Sequence, residues 1–140
     1  MGLKLTLKPN EKIVVNGCVI RNSNRRQSLT IENQADVIRG VDLLDENSAV
    51  TPTSEIYFLV QSAMLNPKIR DDLTIVIQKR LGKLVPVFHQ EIGGHLIEAA
   101  NHVSARNYYQ ALRSIKPVMK YEAELLQMFG DQEQTAIPAE

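Results

Sequence analysis

The chain has 140 residues and 15.7 kDa, with 16 Lys and Arg against 16 Asp and Glu, a formal net charge of zero. That length fits one domain, or two small subdomains sharing a core. With 44% hydrophobic and 23% charged residues it is ordinary globular usage, which excludes wholesale disorder.

Leu3, Leu5 and Leu7 alternate with Lys4, Thr6 and Lys8, the two-residue period of a half-buried strand, until Pro9-Asn10 breaks it. The same alternation lacks the continuous apolar stretch of an export leader. No run approaches the ~18 apolar residues of a membrane helix, and Cys18, the only cysteine, has no internal partner, so a reducing cytoplasm is the expected compartment. Ile13–Val15 and Cys18–Ile20 flank Asn16-Gly17, a hairpin signal because both residues tolerate positive φ. Asn22-Ser23-Asn24 reads as a loop leading to Arg25 and Arg26; Leu29 and Ile31 alternate again, and Val37-Ile38 forms a last short apolar run before Gly40. Residues 1–45 are therefore predicted to be a small antiparallel β-unit of four or five strands. So few strands cannot cover both of their faces, so the unit must pack on helices or on a second copy, and a homo-oligomer is expected.

Asp42 to Ala49 is an acidic connector, after which the period becomes helical. Thr51-Pro52 opens a first helix, with Ile56, Leu59, Val60, Ala63 and Met64 at helical spacing, and Asn66-Pro67 stops it. Ile69, Leu73, Val76, Ile77 and Leu81 lie on one side of a second helix that Val85-Pro86 interrupts. A third is predicted over roughly 88–105, where Ile92, Leu96, Ala99 and Val103 form the stripe and Gly93-Gly94 costs stability unless close packing requires small residues. The fourth is predicted over about 107–129, with Leu112, Ile115, Met119, Leu126 and Phe129 inward; Pro117 should kink or split it and Gly130 should end it. The fold class is thus α+β: a β-unit (1–45), a bundle of about four helices (46–130) suited to oligomerisation or partner binding, and a flexible tail (131–140).

Charge is distributed unevenly along these elements. Residues 1–40 hold seven bases and three acids, a net of +4; residues 41–66 hold four acids and no base, a net of −4; residues 67–90 carry +3 and residues 91–140 carry −3. The first block fits two readings, a phosphate-binding face or a solvated edge that deters strand-to-strand aggregation. All seven aromatics (Tyr57, Phe58, Phe88, Tyr108, Tyr109, Tyr121, Phe129) lie beyond it, which disfavours base stacking on a sheet; any RNA contact would rest on Arg and Lys.

Chemistry-bearing motifs are sparse. Glu91, His95, Glu98 and His102 share one helix face at 4-3-4 spacing, a set that could hold a metal but that a polar helix flank explains as well; no metal or cofactor is expected. Cys18, inside a predicted strand beside Val19 and Ile20, reads as a buried structural thiol. Nucleophile-elbow, Walker A and dinucleotide-binding motifs are missing, and no catalytic residue is assigned.

Residues 16–22 (NGCVIRN), Arg25-Arg26 and residues 29–39 (LTIENQADVIR) resemble the N-terminal half of the FlbT family. Thr51-Pro52 with residues 56–61 (IYFLVQ), residues 109–113 (YQALR), Tyr121-Glu122 and Leu125-Leu126 continue the resemblance, in order, over residues 2–130. What it implies is a bacterial post-transcriptional regulator of flagellum biogenesis, not an enzyme, that binds the 5′ untranslated region of flagellin mRNA and alters translation or stability as a repressor. It also implies a link to a small partner protein, FlaF. On that basis the RNA-binding residues are expected to be Arg21, Arg25 and Arg26, supported by Lys4, Lys8 and Arg39. The rival expectation is a flagellar assembly or secretion chaperone-like adaptor that works through protein contacts made by the helical half.

Overall fold

A computed structural model describes the backbone of residues 2–136 and the side chains of residues 2–129. Five strands precede four helices: β1 (Leu3–Leu7), β2 (Lys12–Val15), β3 (Cys18–Arg21), β4 (Gln27–Ile31), β5 (Val37–Arg39), then α1 (Pro52–Leu65), α2 (Arg70–Leu84), α3 (Gln90–Ser104) and α4 (Tyr108–Ala136). The class is α+β, with an N-terminal antiparallel β-unit and a C-terminal helical bundle.

The strands form two small sheets. β1 pairs with β4, Leu5 opposite Leu29; β2 is the middle strand of the other, between β3 and β5. Asn16 and Gly17 both take positive φ (49° and 81°), the conformation a two-residue hairpin turn requires, and this sets Val15 opposite Cys18 and Lys12 opposite Arg21. Alternation along β2 then divides the core. Ile13 points into a small cluster with Leu5 and Leu7, while Val14, with Ile38 of β5, packs into the large helical core. The result is three layers: the two-stranded sheet, the three-stranded sheet, and the helices.

Thr51 caps α1. Its hydroxyl accepts from the Ser54 backbone N–H, the Ser54 hydroxyl accepts from Thr51 N–H, and Pro52 occupies the first turn. Ile56, Tyr57, Val60 and Ala63 face the core, as do Ile77, Leu81 and Leu84 of α2, Leu96, Ala99 and Val103 of α3, and Leu112, Ile115 and Val118 of α4. Glu122 of α4 is buried and accepts from the Thr53 backbone N–H (3.2 Å) and hydroxyl (2.9 Å), which sets a carboxylate at the positive end of α1. Gly93 lies where an added Cβ would stand 3.0 Å from the Val85 carbonyl oxygen, so close packing does require a small residue there; at Gly94 the space is open.

Four sequence expectations are corrected. Cys18 is exposed, because β3 is an edge strand whose four residues all face solvent. Ile69 and Val76 lie outside the core, 45% and 39% exposed, because α2 buries only the narrower stripe through Ile77. Pro117 does not split α4: it and Arg113, whose carbonyl loses its helical donor, lie on an exposed side of the helix, where that carbonyl need not be buried unpaired. Nor does Gly130 end α4, which runs on to Ala136; one glycine costs ~1 kcal/mol in a helix, too little to stop it before helix-tolerant residues. The rest of the predicted tail, residues 137–140, lies outside the described residues. Among those described, no helix is long and apolar enough to cross a membrane.

Candidate nucleic-acid interface

The β-unit gathers its bases through one buried side chain. Asn22, 7% exposed, donates its amide to the carbonyls of Lys8 (2.8 Å), Arg25 (2.8 Å) and Leu7 (3.3 Å). Backbone bonds from Asn22 N–H to Glu11 and from Asn10 N–H to Ser23, both 2.8 Å, close the same contact. The turn after β1 and the loop after β3 are thereby held together, with Lys8, Arg21, Arg25 and Arg26 at one end of the unit and all four exposed.

Hairpin register adds Lys12, exposed and directly opposite Arg21. Two like charges facing across a strand pair repel, and a polyanion relieves that repulsion. Lys12 was not among the expected contacts, although the Asn16-Gly17 turn carries its position: counting outward from a two-residue loop brings residue 12 opposite 21.

Lys4 stands apart, about 13 Å along β1 from Lys8 at strand spacing. It lies on the outer face of the two-stranded sheet with Thr6, Ser28 and Thr30, since Lys4 faces Thr30 and Thr6 faces Ser28 while Leu5 and Leu7 turn inward. This face is polar and carries no aromatic ring.

Arg39 does not join the exposed set. Its guanidinium donates to Glu11 through Nε (3.0 Å) and Nη2 (2.9 Å) and to the Thr6 carbonyl (2.9 Å). The Lys8 backbone N–H at 2.9 Å, and then Arg39, hold the Glu11 carboxyl below its ordinary range against the opposing effect of burial. The pair ties β5 to the turn after β1, and Arg39 neutralises the acid nearest the cluster.

Of the bases in the helical region four are engaged, while Lys68, Lys79, Lys83, Arg113 and Lys120 form no ion pair among the described residues. Arg80 pairs with Glu55 (3.0 Å), Arg106 with Asp71 (3.2 Å) and Lys116 with Asp42. Arg70 donates to the Ala63 and Met64 carbonyls at the end of α1 and covers the Tyr108 ring at 5.3 Å. In the β-unit, Lys4, Lys8, Lys12, Arg21, Arg25 and Arg26 likewise form no ion pair among the described residues. What they offer is a surface of unpaired cations able to neutralise phosphates, with no aromatic ring among them on which bases could stack.

The histidine face brings His95 Nδ1 only to within 3.9 Å of Glu98, and among the described residues no three His, Cys, Asp or Glu side chains converge on a metal-sized site.

Comparison with known proteins assigns the chain. The family model described as "Flagellar protein FlbT" matches residues 3–126. A "Probable flagellum biosynthesis repressor protein FlbT" of Rhodopseudomonas palustris is 38% identical over 128 residues, covering 90% of this chain and 98% of the relative. The "Flagellum biosynthesis repressor protein FlbT" of Caulobacter vibrioides is 35% identical over 127 residues, 90% of each chain, and a probable counterpart from Mesorhizobium japonicum is 32% identical over 125, covering 89% of this chain and 84% of that one. No solved structure matches significantly. Matched over nearly its whole length by the family model and by these relatives, the chain belongs to the FlbT family.

Proposed function

We propose that this protein is a cytoplasmic post-transcriptional repressor of flagellum biogenesis that binds the 5′ untranslated region of flagellin mRNA through its β-unit. The observation that carries the reading is the clustering of bases on the β-unit: Lys8, Lys12, Arg21, Arg25 and Arg26 are exposed, form no ion pair among the described residues, and are gathered by the Asn22 contact and the hairpin register. The names of the relatives supply the process, flagellum biosynthesis, and the sign, repression. Docking of the basic surface on a structured leader alters translation or decay by occlusion, with no chemistry of the protein's own. The family resemblance names FlaF as the partner protein for this role.

A gel-shift titration with flagellin leader RNA tests the reading. Affinity is expected to fall steeply with salt, with a logarithmic slope of about 0.7 per neutralised phosphate for single strands. Arg25→Ala/Arg26→Ala should weaken binding roughly tenfold or more and flatten that slope by about 1 to 2. Arg39→Ala should act through stability instead of through the slope. The adaptor reading has its own observation, an open groove of about 950 Å³ between the β-unit, the connector and α1, where Val19, Val41, Leu43, Leu44 and Leu65 share the lining with Lys8 and Lys12. Wild-type protein that ignores leader RNA at low salt but co-purifies with a flagellar protein would decide for the adaptor.

A further inference from the structure

A second basic surface lies on the helical half, and unlike the β-unit it includes an aromatic ring. Tyr109, Arg113, Lys116 and Lys120 recur along α4 at steps of four, three and four, which sets them on one face. That face is one wall of an open cleft of about 620 Å³. Val37 and Ile38 of β5, with Asp42 and Tyr57, form the other wall. The buried side chains Ile38, Tyr57 and Leu112 make its floor apolar, whereas Arg113, Lys116 and Lys120 are exposed at its rim.

Three cations line this cleft against one acid. Asp42 engages Lys116, and the Tyr57 hydroxyl donates to the Asp42 carbonyl at 2.7 Å. Arg113 and Lys120 form no ion pair among the described residues. The Arg113 guanidinium lies 6.0 Å from the centre of the half-buried Tyr109 ring. The charge balance fits an anion, and the ring, the guanidinium and the apolar floor fit a flat body attached to it. A nucleotide combines the two. Location then favours RNA over an acidic peptide, because the cleft and the basic surface of the β-unit meet at the turn Gly40–Asp42. Gly40 and Val41 line the groove shared by Lys8 and Lys12, and Asp42 lines the cleft. Gly40 packs so close to Lys12 that an added Cβ would stand 2.6 Å from its carbonyl oxygen. From Gly40 to Asp42 is two residues, under about 8 Å of chain.

We propose that the cleft between β5 and α4 is a second RNA contact, in which an unpaired base lies against the Tyr109–Arg113 pair and Arg113 and Lys120 neutralise the adjoining phosphates. The proposal rests on the reading of the protein as RNA-binding and adds a division of labour to it. The β-unit, without a ring, holds the backbone of any strand. The cleft admits only a base that is free of a duplex, so it selects single-stranded segments of the leader.

Fluorescence anisotropy on the full chain tests this with two probes, a single-stranded segment of flagellin leader RNA and an abasic oligoribonucleotide of the same length. Tyr109→Leu removes the ring and keeps an apolar side chain; it should weaken the RNA about tenfold and leave the abasic strand and the salt slope unchanged. Tyr109→Phe should bind as the wild type does. Arg113→Gln/Lys120→Gln, at two exposed positions, should weaken both probes and flatten the salt slope by about 1.4, at 0.7 per phosphate. A wild type that binds neither probe at low salt overturns the proposal together with the reading it rests on. Binding that Arg25→Ala/Arg26→Ala weakens while the Tyr109 and Arg113/Lys120 variants leave it intact overturns the cleft alone. So does an equal loss of both probes in Tyr109→Leu, or a loss of oligoglutamate binding instead of RNA binding in the cleft variants. Binding weakened by the cleft variants and not by Arg25→Ala/Arg26→Ala would keep the cleft and overturn the β-unit.

Discussion

Asn22 carries more of the candidate interface than any of the cations do. Its amide serves three carbonyls, those of Leu7 at the end of β1, Lys8 in the turn after it and Arg25 in the loop after β3. Asn22→Ala leaves those acceptors short of a donor in a poorly solvated place, and should cost about 1–3 kcal/mol in urea unfolding. RNA affinity should fall with it, although no charge has been removed. Tyr57 offers a second test at this scale. Burial, with the Asp42 charge beside it, pushes its phenol up to about 12, and its hydroxyl donates to the Asp42 carbonyl at 2.7 Å. The unfolded phenol ionises near 10. Between those values the unfolded state has lost a proton that the folded state retains, so stability should fall as pH rises from about 10 to 12. Tyr57→Phe should abolish that alkaline segment while losing the hydrogen bond at neutral pH, as pH-dependent melting would show. Neither residue announces its role in one dimension. Asn22 resembles any asparagine in an Asn/Ser loop until two distant turns meet, and Arg39 looks like a free cation until Glu11, 28 residues away, is folded against it.

At the level of elements, local signals do most of the specification. The Asn16-Gly17 turn, the Thr51-Pro52 cap and the Asn66-Pro67 break each act within four or five residues, and each stands where its chemistry places it. Signals that weigh local preference against context are less legible. Pro117 and Gly130 both oppose helix, yet α4 passes through both, because Pro117 stands on a solvated face and a single glycine costs too little. Burial at the ends of an element is likewise set by what stands opposite. Leu126 and Phe129 belong to the inward stripe by spacing and are exposed because α1 and α3 have already ended. The glycine pair of α3 separates these influences. Gly94→Ala should raise stability by up to about 1 kcal/mol, through helix propensity in open space. Gly93→Ala should lower it, since the new methyl meets the Val85 carbonyl at 3.0 Å and a backbone atom yields little. Thermal melting of the two variants should therefore shift in opposite directions.

Taken whole, the molecule separates charge along its chain: a net base-rich N-terminal unit, an acidic connector, and a bundle in which Arg80, Arg106 and Lys116 are paired with acids. That separation is legible from the sequence by segment, and invisible in a net charge of zero. It does not make the β-unit a domain in the folding sense. Val14 and Ile38, 1% and 6% exposed, belong to the helical core, while Ile13, next in the chain to Val14, belongs to the smaller one. Residues 1–45 expressed alone would open that face to water, and should give a spectrum without cooperative melting, whereas the full chain should unfold in a single transition followed by both far-ultraviolet dichroism and tyrosine fluorescence. β2 is a party wall. The basic surface has no hinge behind it, so an RNA that lands there meets a support whose shape was settled when the helices packed, and little ordering is left for the moment of binding. Mutations deep in the bundle, far from any phosphate, should then register as changes in leader affinity.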